Sequence, residues 1–232
     1  RTQTLAKEVG LVLQDPETQI FGRTVDEDTA FGPRNYLIPR EEIKKRIKDA
    51  LHKVRLDGYE KRNTSQLSGG EKQRLAIAGI LAMNPSIIIL DEPTTGLDPG
   101  TRKKIWTIIE KLRKDYKMTI FLTTHYMEET TDADYIVILD RGKIVAEGTS
   151  IDLKNKYASD VIYLYNTDEE LVKKLNLPYK KIKNSYKLNI KSSKEATNLI
   201  VKNKEVFQDY EIIKGNMDDV FLEATGYKLE AE

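Results

Sequence analysis

Cysteine is absent from the sequence of 232 residues. Its absence excludes disulfide bonds and thiolate metal sites, and it is compatible with a reducing compartment. Long apolar runs are also missing, because none approaches the roughly 18 residues that a membrane-spanning helix requires. Any connection to a membrane must therefore be made through a partner. Charge of one sign does not dominate, since 38 Lys and Arg stand against 37 Asp and Glu. This balance creates no broad positive field, so we expect no nucleic acid partner.

The most informative stretch is LSGGEKQR at residues 67–74. Ser68 and Glu71 have the spacing of a capping box, which predicts a helix that starts here and covers about residues 70–83. Gly69 and Gly70 remove side chains where the first free backbone N–H groups point outward. Because those groups and the helix dipole both favour negative charge, the stretch is typical of a phosphate-facing helix start.

A second stretch, at residues 87–92, has four apolar residues followed by Asp91 and Glu92. Such a run suits a parallel strand that is buried on both faces. Acidic residues at its carboxyl end lie where open α/β sheets bind their ligands, and a pair there can serve a magnesium ion and position a water. A Gly-Gly turn or a strand ending in an acid is common alone. The two stretches in this order, followed by PTTGLDP at residues 93–99, are hard to produce by chance.

Together these stretches resemble the ATP-binding-cassette (ABC) ATPases. Residues 67–71 are similar to the ABC signature, residues 87–92 to the Walker B strand, and residues 96–98 to the D-loop. Upstream, residues 9–16 resemble the Q-loop. Downstream, a run that reads as another buried strand ends in His125, which matches the H-loop.

The resemblance implies an α/β fold: a P-loop NTPase of the RecA-like, ABC type, with a partial parallel sheet and a helical signature subdomain at about residues 24–84. The ATPase domain would cover residues 1–149, and a hairpin at residues 135–148 would complete its core. From about residue 150 the composition shifts toward Lys, Asn and Tyr. Elements in the order β-α-β-β-α-β predict a small C-terminal α+β domain, ferredoxin-like, at residues 150–232. We expect a regulatory or dimer-contact role for it.

Two capping patterns are expected in that C-terminal domain. Thr167 with Glu170, and Ser192 with Glu195, have the spacing that starts a helix.

By the same resemblance, four residues would act on ATP and Mg²⁺. Asp91 would hold Mg²⁺ through water, and Gln14 would touch the ion and its water. Glu92 would polarise the attacking water as general base, and His125 would contact the γ-phosphate and help to orient that water.

Five further residues would bind nucleotide together with a partner. Ser68, Gly69, Gly70 and Glu71 form the signature, in which Ser68 and Gly70 would touch the γ-phosphate of ATP held by a second ABC ATPase subunit. Asp98 would organise that interface, in a homodimer or a heterodimer. Transmembrane permease subunits would be the other partners, and they would keep the chain cytoplasmic and peripheral on the inner face of the cell membrane.

Nucleotide hydrolysis on this fold requires the Walker A loop G-x-x-x-x-G-K-[ST]. The only Gly-Lys pair, Gly142-Lys143, is followed by Ile144. Since this loop precedes the Q-loop in the family, we expect that an N-terminal segment has been lost, with a naturally degenerate subunit as the alternative. The chain by itself is then expected to be inactive, and its open sheet to make it poorly soluble.

Two branches of the family remain open. QDPETQIF at residues 14–21 and AFGP at residues 30–33 resemble the energy-coupling-factor and cobalt importer ATPases. TTHYMEE at residues 123–129, the C-terminal domain and DVFLEATG at residues 219–226 resemble the drug-exporter ATPases. The exporter markers are longer, so an exporter ATPase is the main hypothesis and an importer ATPase the alternative. A non-catalytic cassette that donates its signature to a partner is a further alternative.

Overall fold

The structure is a computed structural model that describes residues 8–227. It divides into two compact units, one ending at His125 and the other beginning at Tyr126. The strands of the first unit are β1 (Val9–Val12), β2 (Ile87–Asp91) and β3 (Thr119–Thr123). Its helices are α1 (Val25–Asn35), α2 (Arg40–Lys53), α3 (Gly69–Leu81) and α4 (Pro99–Lys114).

The first unit contains a parallel sheet in the order β1-β2-β3. Leu11, Ile89 and Phe121 lie side by side across the three strands, and Asp91 pairs with Thr123 at the carboxyl end. The parallel sheet with its helices confirms the α/β class, and it brings the ends of all three strands to one edge.

Helices cover one face of this sheet. Val12, Ile88 and Leu90 point into a core shared with α3 and α4 and are at most 1% exposed. On the opposite face Leu11 is 44% exposed and Phe121 is 58% exposed. The prediction that β3 is buried was therefore wrong. Among the described strands β3 lies at the edge of the sheet, and the helices of its unit pack on one of its faces, so alternate side chains reach solvent.

The second unit begins with a short 3-10 helix (Met127–Thr130), which is followed by the hairpin of β4 (Ile136–Asp140) and β5 (Lys143–Gly148). The hairpin shares a core with the helices α5 (Ser150–Tyr157) and α8 (Met217–Thr225). The structure thus groups the hairpin with the C-terminal part of the chain, whereas the expected boundary at residues 149/150 assigned it to the ATPase domain. The extent of each functional domain stays a prediction.

The rest of the second unit is a sheet of four antiparallel strands in the order β7-β8-β6-β9. The strands are β6 (Asp160–Tyr165), β7 (Tyr179–Ile182), β8 (Ser185–Ile190) and β9 (Tyr210–Ile213), with helices α6 (Glu169–Lys173) and α7 (Ser193–Lys202) between them. The first and third strands lie at the centre, as in a ferredoxin-like domain, so this expectation is confirmed.

One of the two expected caps in this domain forms. Ser192 Oγ accepts a hydrogen bond from the Glu195 amide at 3.3 Å. The other prediction was wrong, because α6 follows Asp168 and the Thr167 hydroxyl donates to the Tyr165 carbonyl at 2.9 Å. Among residues 8–227, no helix combines the length and apolar character that crossing a membrane requires.

Candidate functional site

The two carboxylates lie where β2 ends. Asp91 is the last residue of that strand, and Glu92 bends away with a φ of +43°. This left-handed conformation is unfavourable for a residue that carries a Cβ. The bend is held by β3, because the Glu92 amide donates to the Thr123 carbonyl at 3.1 Å and to Thr123 Oγ1 at 3.2 Å.

Three side chains converge on Oε2 of Glu92. Gln14 Nε2 donates to it at 2.9 Å, Thr95 Oγ1 donates at 3.1 Å, and His125 Nδ1 lies 3.3 Å away. Within residues 8–227 the other oxygen, Oε1, accepts no hydrogen bond. The Glu92 side chain is 30% exposed and that of His125 is 53% exposed, so the group is open to solvent. One oxygen is thus fixed while the other remains able to accept a proton.

Sequence reasoning missed two hydroxyl groups in this cluster. Thr95 holds Glu92, and Thr123 Oγ1 donates to Asp91 Oδ1 at 2.5 Å. The signal that could have found Thr123 is its position two residues before His125. Aligning the ends of two neighbouring parallel strands places Thr123 opposite Asp91.

Asp91 and Gln14 present the oxygen atoms that a magnesium ion would use. Asp91 Oδ2 accepts no hydrogen bond from residues 8–227, and Gln14 contacts Glu92 through its amide nitrogen, which leaves its amide oxygen available. Magnesium prefers oxygen ligands and is usually held by one or two carboxylates together with water and substrate phosphates. The donor set fits this ion.

The signature residues form the start of α3. Glu71 Oε2 accepts hydrogen bonds from the Ser68 amide at 2.8 Å and from Ser68 Oγ at 3.0 Å. Ser68 Oγ in turn faces the Glu71 amide at 3.4 Å, which completes the expected capping box. Tyr59 donates to Glu71 Oε1 at 3.0 Å. The Ser68 amide, more than any other group, lowers the pKa of Glu71.

The two glycines of the signature differ in their surroundings. Gly69 is exposed, with only Leu97 near a Cβ added there, at 3.9 Å. Gly70 is buried, and a Cβ at this position would lie 2.2 Å from Cγ2 of Thr101 at the start of α4. At the start of the helix, Ser68 and Gly69 are therefore exposed to solvent, whereas Gly70 packs against Thr101 of α4.

Asp98 caps α4 beside this contact. Its Oδ1 accepts a hydrogen bond from the Thr101 amide at 3.0 Å, and hydrogen bonds from Thr101 lower its pKa. The structure thus brings the expected residues together in two groups. Gln14, Asp91, Glu92 and His125 lie at the strand ends, and the signature residues lie beside the segment that Asp98 begins. Their assigned roles stay predictions.

Comparison with known proteins gives these two groups a context. Residues 1–95 match the family model described as ABC transporter. The chain is 51% identical over 140 residues to the energy-coupling factor transporter ATP-binding protein EcfA1 of Clostridium novyi, covering 60% of this chain and 50% of that protein. It is 42% identical over 190 residues to EcfA1 of Lactobacillus gasseri, covering 72% of this chain and 67% of the relative. It spans about half the length of several curated relatives that it matches.

Solved structures agree with these relatives. cbiO1 from Clostridium perfringens, described as part of the ABC transporter complex cbiONQ, superposes with a TM-score of 0.63 and 33% identity, covering 67% of this chain and 62% of that one. The ATP-binding cassette MJ0796, solved as a dimer in a post-hydrolysis state with ADP and Pi, gives a TM-score of 0.56 and 31% identity, covering 64% and 65%. With this P-loop NTPase fold and these relatives, the chain belongs to the family of ABC transporter ATP-binding proteins.

Proposed function

We propose that this chain is the ATP-binding and ATP-hydrolysing subunit of an ABC importer of the energy-coupling factor type. The observation that carries the proposal is the convergence of Gln14, Thr95 and His125 on one oxygen of Glu92. This arrangement fixes a carboxylate in position while leaving its second oxygen free for a reacting water. The names of the relatives support the importer that the sequence analysis kept as its alternative, and we set the exporter hypothesis aside.

In this proposal Glu92 is the general base. Its Oε1 accepts a proton from the water that attacks the γ-phosphorus of ATP, and the bond from that phosphorus to the bridging oxygen of ADP breaks. Gln14, Thr95 and His125 keep the carboxylate from rotating away, since all three contact Oε2. Asp91 and Gln14 would hold Mg²⁺, which when bound neutralises charge that develops on the phosphate oxygens.

A second ATPase subunit is the proposed partner at the signature. Ser68 and Gly69 are exposed at the start of a helix of 13 residues, whose free N–H groups favour an anion. We propose that Ser68 and Gly70, on either side of Gly69, contact the γ-phosphate of ATP bound by that subunit. The dimer recorded for MJ0796 supports such an assembly.

A groove between β1, α1 and α3 is the proposed docking place for a transmembrane permease subunit. It has a volume of about 360 Å³ and is lined mainly by apolar groups, among them Phe21, Phe31 and Met83. The ring centroids of Phe21 and Phe31 lie 5.2 Å apart, and the two residues are 68% and 47% exposed. Asp28 supports this groove, because its Oδ1 accepts hydrogen bonds from the amides of Phe21 and Gly22 at 2.7 and 2.9 Å. Docking here would hold the chain at the inner face of the membrane.

Permease docking is tested by substitution in the groove. We expect Phe31→Asp to reduce recovery of the membrane partners by about tenfold or more in co-purification, because a charge would be buried against an apolar surface. Ile151→Asp is the matched control, since Ile151 is 71% exposed on another part of the chain. Equal recovery with both variants would exclude this groove as the docking place.

Hydrolysis is tested with protein produced from its complete reading frame. We expect Glu92→Gln to lower the kcat of ATP hydrolysis by about 10²- to 10⁴-fold, the usual contribution of a general base, and to leave ATP binding intact. Glu147→Gln, at an exposed glutamate of β5, should retain wild-type turnover. A Glu92→Gln protein that turns over ATP at the wild-type rate would refute the role of this residue.

A further inference from the structure

We infer that Thr123 is a positioning residue whose hydroxyl sets the direction of both carboxylates at the end of β2. Its catalytic consequence rests on the function proposed above. Thr123 Oγ1 donates to Asp91 Oδ1 at 2.5 Å and lies 3.2 Å from the amide nitrogen of Glu92. One side chain therefore contacts the expected metal ligand and the backbone of the expected general base.

The chemistry of the hydroxyl makes this contact directional. A threonine hydroxyl has one proton to donate and lone pairs to accept with. An ionised Asp91 can only accept, and the Glu92 amide can only donate, so the proton of Thr123 lies toward Asp91 and a lone pair lies toward Glu92. The register of the sheet, which pairs Asp91 with Thr123, places the hydroxyl between the two groups.

Two consequences follow for the carboxylates. Occupation of Asp91 Oδ1 restricts rotation of the carboxylate, so that Oδ2 is the oxygen that would be available for Mg²⁺. The bond to the Glu92 amide holds the bend with φ of +43°, on which the direction of the Glu92 side chain depends. Groups that orient metal ligands in this way typically contribute about 10- to 100-fold to metal affinity or activity.

The test uses three variants of the protein made from its complete reading frame. Thr123→Val keeps the branched shape and removes the hydroxyl, and Thr123→Ser restores the hydroxyl. Thr119→Val is the matched control, since Thr119 belongs to the same strand and is exposed on the same face as Thr123.

Three measurements are compared. The first is NMR-detected amide exchange of Glu92 without nucleotide, which we expect to be about fivefold faster in Thr123→Val, since one acceptor is lost. The second is Mn²⁺ affinity in the presence of ATP, measured by electron paramagnetic resonance, which should fall by about tenfold or more. The third is kcat, which should fall to a similar extent with little change in the KM for ATP. Thr123→Ser and Thr119→Val should resemble wild type.

The outcomes separate this inference from the proposed function. Wild-type protein that neither binds Mn²⁺ with ATP nor turns over ATP would refute the proposed function, and Glu92 exchange would still decide the role of Thr123. Unchanged exchange in Thr123→Val would overturn the inference. A Thr123→Val protein with a lower melting temperature but wild-type Mn²⁺ affinity would also overturn it, because that is the result of a merely structural hydroxyl.

Discussion

Individual side chains at the start of α3 hold each other in place. Ser68 and Glu71 exchange hydrogen bonds through both backbone and side chain, and Tyr59 contacts the second oxygen of Glu71. These contacts favour the ionised carboxylate, which explains the direction of the Glu71 pKa. The conformation of the signature is therefore linked to the protonation of one residue.

This linkage gives a pH dependence. In the folded chain the pKa of Glu71 lies below its ordinary value of 4.5. The stability that ionised Glu71 contributes is complete above that ordinary value, and it is lost as the pH falls through the lower folded value. Glutamine at position 71 can still cap the helix but does not titrate. We therefore expect the melting temperature of Glu71→Gln to fall less than that of the wild type as the pH is lowered from about 6 to 3. Parallel losses in the two proteins would contradict this explanation.

Between elements, the contact of α3 with α4 depends on one glycine. Gly70 faces Thr101 so closely that a methyl group at position 70 would overlap with the threonine methyl. The first turns of α3 and α4 are therefore in close contact at this point, and Asp98 is the N-cap of α4.

Gly70→Ala is therefore expected to destabilise the fold by about 1–3 kcal/mol, the usual cost of overpacking. Adding Thr101→Ser should recover most of this loss, because serine lacks the overlapping methyl and keeps the hydroxyl. Gly79→Ala is the control in the same helix, since no atom lies within 4 Å of a Cβ added there. We expect Gly79→Ala to be neutral or stabilising by up to about 1 kcal/mol in urea unfolding. A Gly70→Ala protein as stable as wild type would show that α4 moves aside.

At the scale of the whole molecule, one face of the first sheet carries exposed apolar side chains. Leu11, Ile89 and Phe121 form a row across the three strands, and the outer two are 44% and 58% exposed. Such a row beside an edge strand favours association between copies.

We expect the chain of residues 1–232 to self-associate at micromolar concentration, and Phe121→Lys to reduce this association, because a lysine places charge on the edge strand. Sedimentation velocity measures the effect. Ile151→Lys serves as the control, since it removes an exposed apolar side chain from the other unit. If the wild-type chain remained monomeric over the same concentration range, this sheet face would not promote self-association.

The sequence predicted those features that depend on local spacing. The Ser68–Glu71 capping box, the strand ending at Asp91 and the β-α-β-β-α-β order were accessible, because each follows from residues close together in the chain. The contacts that organise the site join distant positions. The contact of Thr123 with Asp91 becomes accessible only when the ends of two strands are aligned, and local spacing carries no information about the contact of Gly70 with Thr101. The exposure of Phe121 was missed for the same reason, since an apolar run does not reveal which face a helix covers.

The left-handed backbone conformation of Glu92 lowers the stability of the fold at the position of the proposed general base. Such a conformation is nearly free for glycine but costs an ordinary residue about 1 kcal/mol or more. Glu92→Gly would therefore relieve this backbone cost. Under the function proposed above, the same substitution would also remove the general base, so a gain in backbone stability and the loss of hydrolysis would arise together.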